Sequence, residues 1–229
     1  MGKNIPSSIV SPSTAPILVG GKRMNRKGFT LIELAIVLVI IGIILGAVLK
    51  GQDLIRNARA KKLIVQTTKW EAFTWSFMDQ KGRFPGDEKN NGIIGDQNGE
   101  TGSDNSAIDE IDNENYTNPP KKTITLGSST FYVKMGNDDN DNGTTPHDLI
   151  ALCASNDCSS TFDDDAIKYA EFVDTSIDGE ANAQNGLVRG TGTITLNGDG
   201  DTITAATPDS SDDYSSSDKA IIYFFDKKP

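Results

Sequence analysis

Residues Gly28–Leu49 read GFTLIELAIVLVIIGIILGAVL. After Gly28 come 21 residues with a single charge, Glu33. At about 1.5 Å per helical residue they reach roughly 30 Å, the thickness of a bilayer's hydrocarbon core. Lys22, Arg23, Arg26 and Lys27 stand just before the run. A secretory signal peptide has a shorter apolar core with a small-residue cleavage site behind it. The flank here is Leu49-Lys50-Gly51-Gln52-Asp53, which is no such site.

A carboxylate in hydrocarbon is expensive and is normally paired or functional. The next basic residue along the chain is Lys50, so Glu33 lacks a partner on its own helix. An α-amino group is a candidate. A cut after Gly28 would give Phe29 a positive amine, which its own Glu33 or that of a neighbouring subunit could neutralise. That reading needs a peptidase at Gly28 and helices packed side by side. A plain single-pass anchor needs neither.

The segment KGFTLIELAIVLVIIGIILG resembles the N-terminal signature of type IV pilins and of the pseudopilins of type II secretion. Gly28, Phe29, Thr30, Leu31, Ile32 and Glu33 match that motif one by one. Lys81-Gly-Arg-Phe-Pro-Gly-Asp87 also resembles the sequence after the long helix in many prepilin-type proteins. The resemblance implies a prepilin peptidase that cuts between Gly28 and Phe29 and methylates Phe29. It implies an inner-membrane single-pass precursor with its C-terminal part outside. It further implies a homopolymer built with pilus or secretion assembly machinery, in which Phe29 and Glu33 serve assembly. The basic residues Lys50, Arg56, Arg59, Lys61 and Lys62 rival those before the span, so the positive-inside rule does not set the orientation. Three roles follow. The mature chain is a type IV pilus subunit in an extracellular filament, a pseudopilin in a periplasmic pseudopilus, or a non-polymerising membrane-anchored binding protein.

Three parts are expected. Residues 1–28 form a leader, with Met24 as a second candidate start. Residues 29–81 form a long helix: no proline occurs between Phe29 and Phe84, and Leu63, Trp70, Phe73 and Phe77 share one face. Residues 82–229 form a head. The fold class is α+β and pilin-like, a long N-terminal helix packed on a small antiparallel sheet with long acidic loops.

The 229-residue chain carries a net charge of −10. Without residues 1–28 the net is −15, and from Gly82 onward it is −18. Such a head lacks the basic footprint that nucleic acid needs. It suits a solvated domain or one that binds cations. Cys153 and Cys158 are too few for a zinc site. In an exported domain they are expected as a local disulfide; a pair of reduced buried thiols is the alternative.

Within the head, Gly86–Pro120 reads as an irregular loop rich in Asn, Asp, Gly and Glu. Thr123–Leu126 and Thr130–Val133 flank a turn and predict a hairpin. Pro146–Ala154 and Asp163–Val173 predict short helices, the second capped by Asp163 or Asp164. Strands are expected at Leu187–Arg189, Thr193–Leu196, Thr202–Ala205 and Ala220–Phe225.

Asp138, Asn140, Asn142 and Gly143 hold the first, third, fifth and sixth places of a calcium-loop pattern. Its twelfth place is Leu149, so this is no EF-hand. A calcium turn from Asp138, Asn140, Asn142 and Asp148 is the candidate metal site, and Asn197-Gly-Asp199-Gly-Asp201 is a weaker one. Calcium is the one cofactor considered. The single histidine, His147, has no fixed nucleophile or base beside it in sequence, and no catalytic fingerprint is present, so an enzyme is not expected.

Overall fold

The computed structural model describes residues 28–95, 106–138, 146–198 and 200–226. The chain divides into two compact units after Ala47.

Helix α1 spans Leu31–Lys81, 51 residues without a break. Up to Ala47 its side chains are exposed. Past that point a buried stripe begins: Ala60, Leu63, Thr67, Trp70, Thr74 and Phe77. The intervals alternate three and four, the spacing of one helix face. The two threonines in the stripe donate to backbone oxygens one turn back, Thr67 to Leu63 and Thr74 to Trp70, so neither brings an unmet hydroxyl into the core. Trp70 Nε1 donates to the Lys121 carbonyl at 3.1 Å, and Phe73 meets Tyr116 edge-on. The helix ends at Lys81, with Gly82 N bonded to Met78 O and Pro85 just beyond.

Helix α2 (Ala107–Asn113) is capped by Ser106, whose hydroxyl accepts from Asp109 N. It lies inside the stretch expected to be irregular. Ile108 and Ile111 are its only large apolar side chains, too few to declare a helix, yet both are buried. Strand β1 (Thr123–Leu126) pairs with β2 (Ser129–Asn137) as the expected hairpin.

Strand β3 (Asp148–Cys153) corrects the helix expected at Pro146–Ala154. Every residue of β3 is buried. Ile150 and Leu152 face the larger core beneath the helices. Leu149, Ala151 and Cys153 face a second core on the other side. With both faces apolar, Asp148–Cys153 shows no two-residue alternation, and a short apolar run of that kind cannot be told from a helix by period.

Helix α3 (Asp164–Asp178) starts at the Asp163 cap, whose carboxylate accepts from Ala166 N at 2.7 Å. Strands β4 (Val188–Thr191), β5 (Thr193–Leu196), β6 (Thr202–Thr207) and β7 (Ala220–Phe224) follow as anticipated, with small shifts at their ends.

The sheet has seven strands in the order β4-β7-β3-β2-β6-β5, with β1 also on β2. The expected small antiparallel sheet is thus larger and mixed, because β2 and β6 run parallel. Gly136 makes that contact feasible: a Cβ there would lie 1.9 Å from the Ile203 carbonyl oxygen.

Candidate functional site

The residues expected to serve processing and assembly lie at the start of helix α1. Gly28 and Phe29 precede helix α1, and Phe29 is 82% exposed. Thr30 and Glu33 form a reciprocal cap. Glu33 N donates to Thr30 Oγ1 at 3.3 Å, and Glu33 Oε2 accepts from Thr30 N at 2.7 Å and Thr30 Oγ1 at 2.9 Å. This is the capping box, a Thr with a Glu three residues on. It also sets a negative charge at the positive end of the helix dipole. Glu33 is therefore held in place by its own chain, and Oε1 takes no hydrogen bond among the described residues. Thr-x-x-Glu spacing is the sequence signal for this box; read only as a carboxylate in an apolar run, Glu33 gives no hint of it.

The helix that follows is long and apolar enough to cross a membrane, and its apolar stretch is exposed. Ile32, Leu38, Val39 and Ile43 are each more than 60% exposed. In water this surface would be costly, at about 25 cal/mol per Å² of apolar area. It calls for lipid or for other helices.

Of the candidate calcium ligands, Asn140 and Asn142 lie outside the described residues. Asp138 and Asp148 come close together, at the ends of β2 and β3. Each already has backbone partners. Asp138 Oδ1 accepts from His147 N at 2.7 Å, and Asp148 Oδ1 accepts from Ile94 N at 2.8 Å. Asp148 Oδ2 is buried without a partner. Burial pushes its carboxyl up to about 8, aided by the charges of Asp226, Asp87 and Asp138. Among the described residues no three carboxylate, histidine or cysteine side chains gather as a metal site. His147 sits beside the start of β3, its ring 3.5 Å from Asp226 Oδ1.

The weaker calcium candidate, around Asp201, is served by an internal cation. Lys134 on β2 is 1% exposed, and its ammonium meets Asp201 Oδ1, the Gly200 carbonyl at 2.7 Å and Asn156 Oδ1 at 3.2 Å. Three oxygens for three protons is a complete set. Asn156 belongs to the short loop closed by the Cys153–Cys158 disulfide, which is formed.

Two fully buried aspartates were not foreseen. Asp174 on α3 is fully buried; its Oδ2 accepts from Asn182 N at 2.7 Å and from Tyr214 OH at 2.9 Å. Asp178, one turn on, accepts from Leu187 N and Val188 N, both at 2.8 Å. Asp218 is also fully buried and accepts from Ser215 N. In sequence these aspartates look like the solvated charges around them; only the fold distinguishes them.

Residues 23–49 match the family model of the prokaryotic N-terminal methylation motif. That motif is the signature of type IV pilins and pseudopilins, and it supports a membrane-anchored precursor of that kind. No curated protein and no solved structure matches the chain.

Proposed function

We propose that this chain, which carries the methylation motif of type IV pilins and pseudopilins, is the structural subunit of a type IV pilus-like surface filament. One observation carries the reading: Glu33 is fixed by Thr30 at the head of an exposed apolar helix, four residues after the Phe29 that cleavage would make N-terminal. Cleavage at Gly28 removes a leader with five basic and no acidic residues, and leaves a positive amine on Phe29. Loss of those charges frees the end of the helix to leave the membrane surface. The amine supplies the partner that a carboxylate among packed apolar helices requires. Thr30 occupies Oε2 and leaves Oε1 for the amine of a neighbouring subunit. Packing of the apolar stretches against one another then keeps them out of water in the filament. The acidic head faces solvent, where its charge keeps filaments apart.

Protein sheared from the surface of its own cells would test this by intact mass and N-terminal sequencing. A chain that begins at methylated Phe29 is the expected result. The same processed chain found only in the envelope would mean a periplasmic pseudopilus instead. An intact leader would mean an anchor that never polymerises.

A further inference from the structure

Five cations, Lys50, Arg56, Arg59, Lys61 and Lys62, follow within thirteen residues of Leu49, where the apolar run ends. Among the described residues Arg56 approaches one carboxylate, Asp53 on its own helix at 3.9 Å, and Arg59 forms no ion pair. Arg59 is nonetheless held in place: a Cβ on Gly127, in the turn between β1 and β2, would lie 2.4 Å from its Nη1. Arg56 and Arg59 line a groove of about 220 Å³ between α1 and α3, together with Gln52, Ile55, Asp165 and Tyr169. Ile55 is half exposed, and the Tyr169 ring is fixed edge-on to Phe131. Asp165 accepts from the Ser128 hydroxyl at 3.3 Å. The groove is smaller than the roughly 300–1,000 Å³ of sites for drug-sized molecules, and suits a small charged group.

We propose that this groove seats the headgroup of a membrane phospholipid that carries a primary amine: Arg56 and Arg59 take the phosphate, and Asp165 takes the ammonium. A guanidinium fork matches phosphate oxygens, and a carboxylate on the opposite wall matches an ammonium. The same carboxylate disfavours a headgroup that is an anion only. So does the head as a whole, which carries −18 from Gly82 onward.

The groove also lies at the depth of the phosphates. The headgroup layer adds roughly 5–7 Å to each side of the hydrocarbon. Gln52 is three residues past Leu49, about 4.5 Å along the helix, and Arg56 is seven, about 10 Å. Helical side chains lean toward the N-terminus of their helix, here the end that carries the apolar run. An arginine at that position reaches back to the phosphate layer along its own stem. The site belongs to the membrane-anchored precursor and does not depend on later polymerisation.

Native mass spectrometry of the full chain tests this. The chain is released from nanodiscs that hold equal amounts of phosphatidylethanolamine and phosphatidylcholine with the same acyl chains, and the lipids it keeps are counted. Wild type is expected to keep one phosphatidylethanolamine about tenfold in preference to phosphatidylcholine, whose methylated ammonium has no proton to give Asp165. Arg56→Gln is expected to lower retention of both lipids about fivefold. Asp165→Asn is expected to remove the preference between them. Lys61→Gln removes the same charge about two and a half turns from Gln52, on the other side of the helix, and is expected to change nothing. Equal retention of the two lipids by the wild type would overturn the proposal. So would a Lys61→Gln loss as large as that of Arg56→Gln, which would mean general attraction to the membrane surface. Displacement of the lipid by inorganic phosphate would make the groove a free-anion site and overturn it too. A lipid-free dimer that weakens in Arg56→Gln would put a second copy of the chain in the groove instead.

Discussion

Asn137 and Asp148 are direct partners across the β2–β3 ladder, and together they grip the two polar groups of one peptide-bearing residue, Ile94. Asn137 Nδ2 donates to the Ile94 carbonyl at 2.8 Å, and Asp148 Oδ1 accepts from Ile94 N at 2.8 Å. Ile94 itself is fully buried. The loop that leaves α1 is thus fastened to the sheet as an extra strand would be, but by side chains. Asp87 supports it from within by accepting from Asn91 N and Gly92 N.

Removal of one jaw leaves a buried amide unpaired. Asp148→Ala is expected to destabilise the head by about 1–3 kcal/mol, the cost of an unmet buried donor. Asp148→Asn keeps an acceptor for Ile94 N and replaces the unpartnered, buried Oδ2 with an amide. It is expected to be neutral or stabilising. Denaturant unfolding of both variants at one pH checks the order. Equal loss in both would mean that the carboxylate itself, rather than the clamp, is needed.

Cleavage can be separated from folding at Gly28. A Cβ at that position would meet no atom within 4 Å. Gly28→Val is therefore expected to leave the head and the membrane helix intact while it blocks the peptidase. Intact mass should show the leader retained, and the sheared surface fraction should contain no protein. A Gly28→Val chain that still begins at Phe29 would place the cleavage signal elsewhere.

Glu33 caps its helix, and under the proposed function it also pairs with an amine; substitution can part the two. Glu33→Ala removes both the capping box and the charge, and the loss of the box costs about 1 kcal/mol at the helix terminus. Glu33→Gln retains a side chain able to cap Thr30 but has no charge to offer an amine. Both variants are expected to insert in the membrane and to reach less than a tenth of wild-type filament yield, because a charged partner in an apolar bundle is worth more than about 1.4 kcal/mol, a factor of ten. Electron microscopy and quantitation of sheared protein measure this. If Glu33→Gln assembles normally, the capping box rather than the charge is what assembly requires.

Much of this arrangement was legible in the residues. The long helix could be read because a proline-free run from Phe29 to Phe84 carries Leu63, Trp70 and Phe77 at helical spacing, and these are buried in the head. The hairpin at Gly127 and the later strands were legible from turn residues between β-branched runs. Strand β3 was not, because it is apolar on both faces and one of its two sheet neighbours, β7, comes from the far end of the head. The parallel β2–β6 pairing was hidden for a related reason: it joins Met135 to Thr202, far apart in the head sequence, and no local pattern marks it. The buried aspartates Asp174 and Asp218 were hidden by composition, since a chain with 32 acidic residues offers no way to tell a buried aspartate from a solvated one.

Lys134 is the case where burial changes what a charge means. In sequence it is one of the few basic residues in an acidic head, and a surface position would be the default. In the fold it lies beside the second core, on the strand next to Ala151, and its ammonium joins the Asn156 loop to the turn before β6. Its partner Asp201 is only partly buried, with its side chain 35% exposed, so water offsets part of the pairing. Lys134→Met fills the stem's space but leaves three oxygens without their donor. It is expected to cost about 1–3 kcal/mol. Adding Asp201→Asn removes the stranded charge and should recover part of that loss, with a coupling of about 0.5–3 kcal/mol in a double-mutant cycle. Zero coupling would mean that the lysine is held by Gly200 and Asn156 alone.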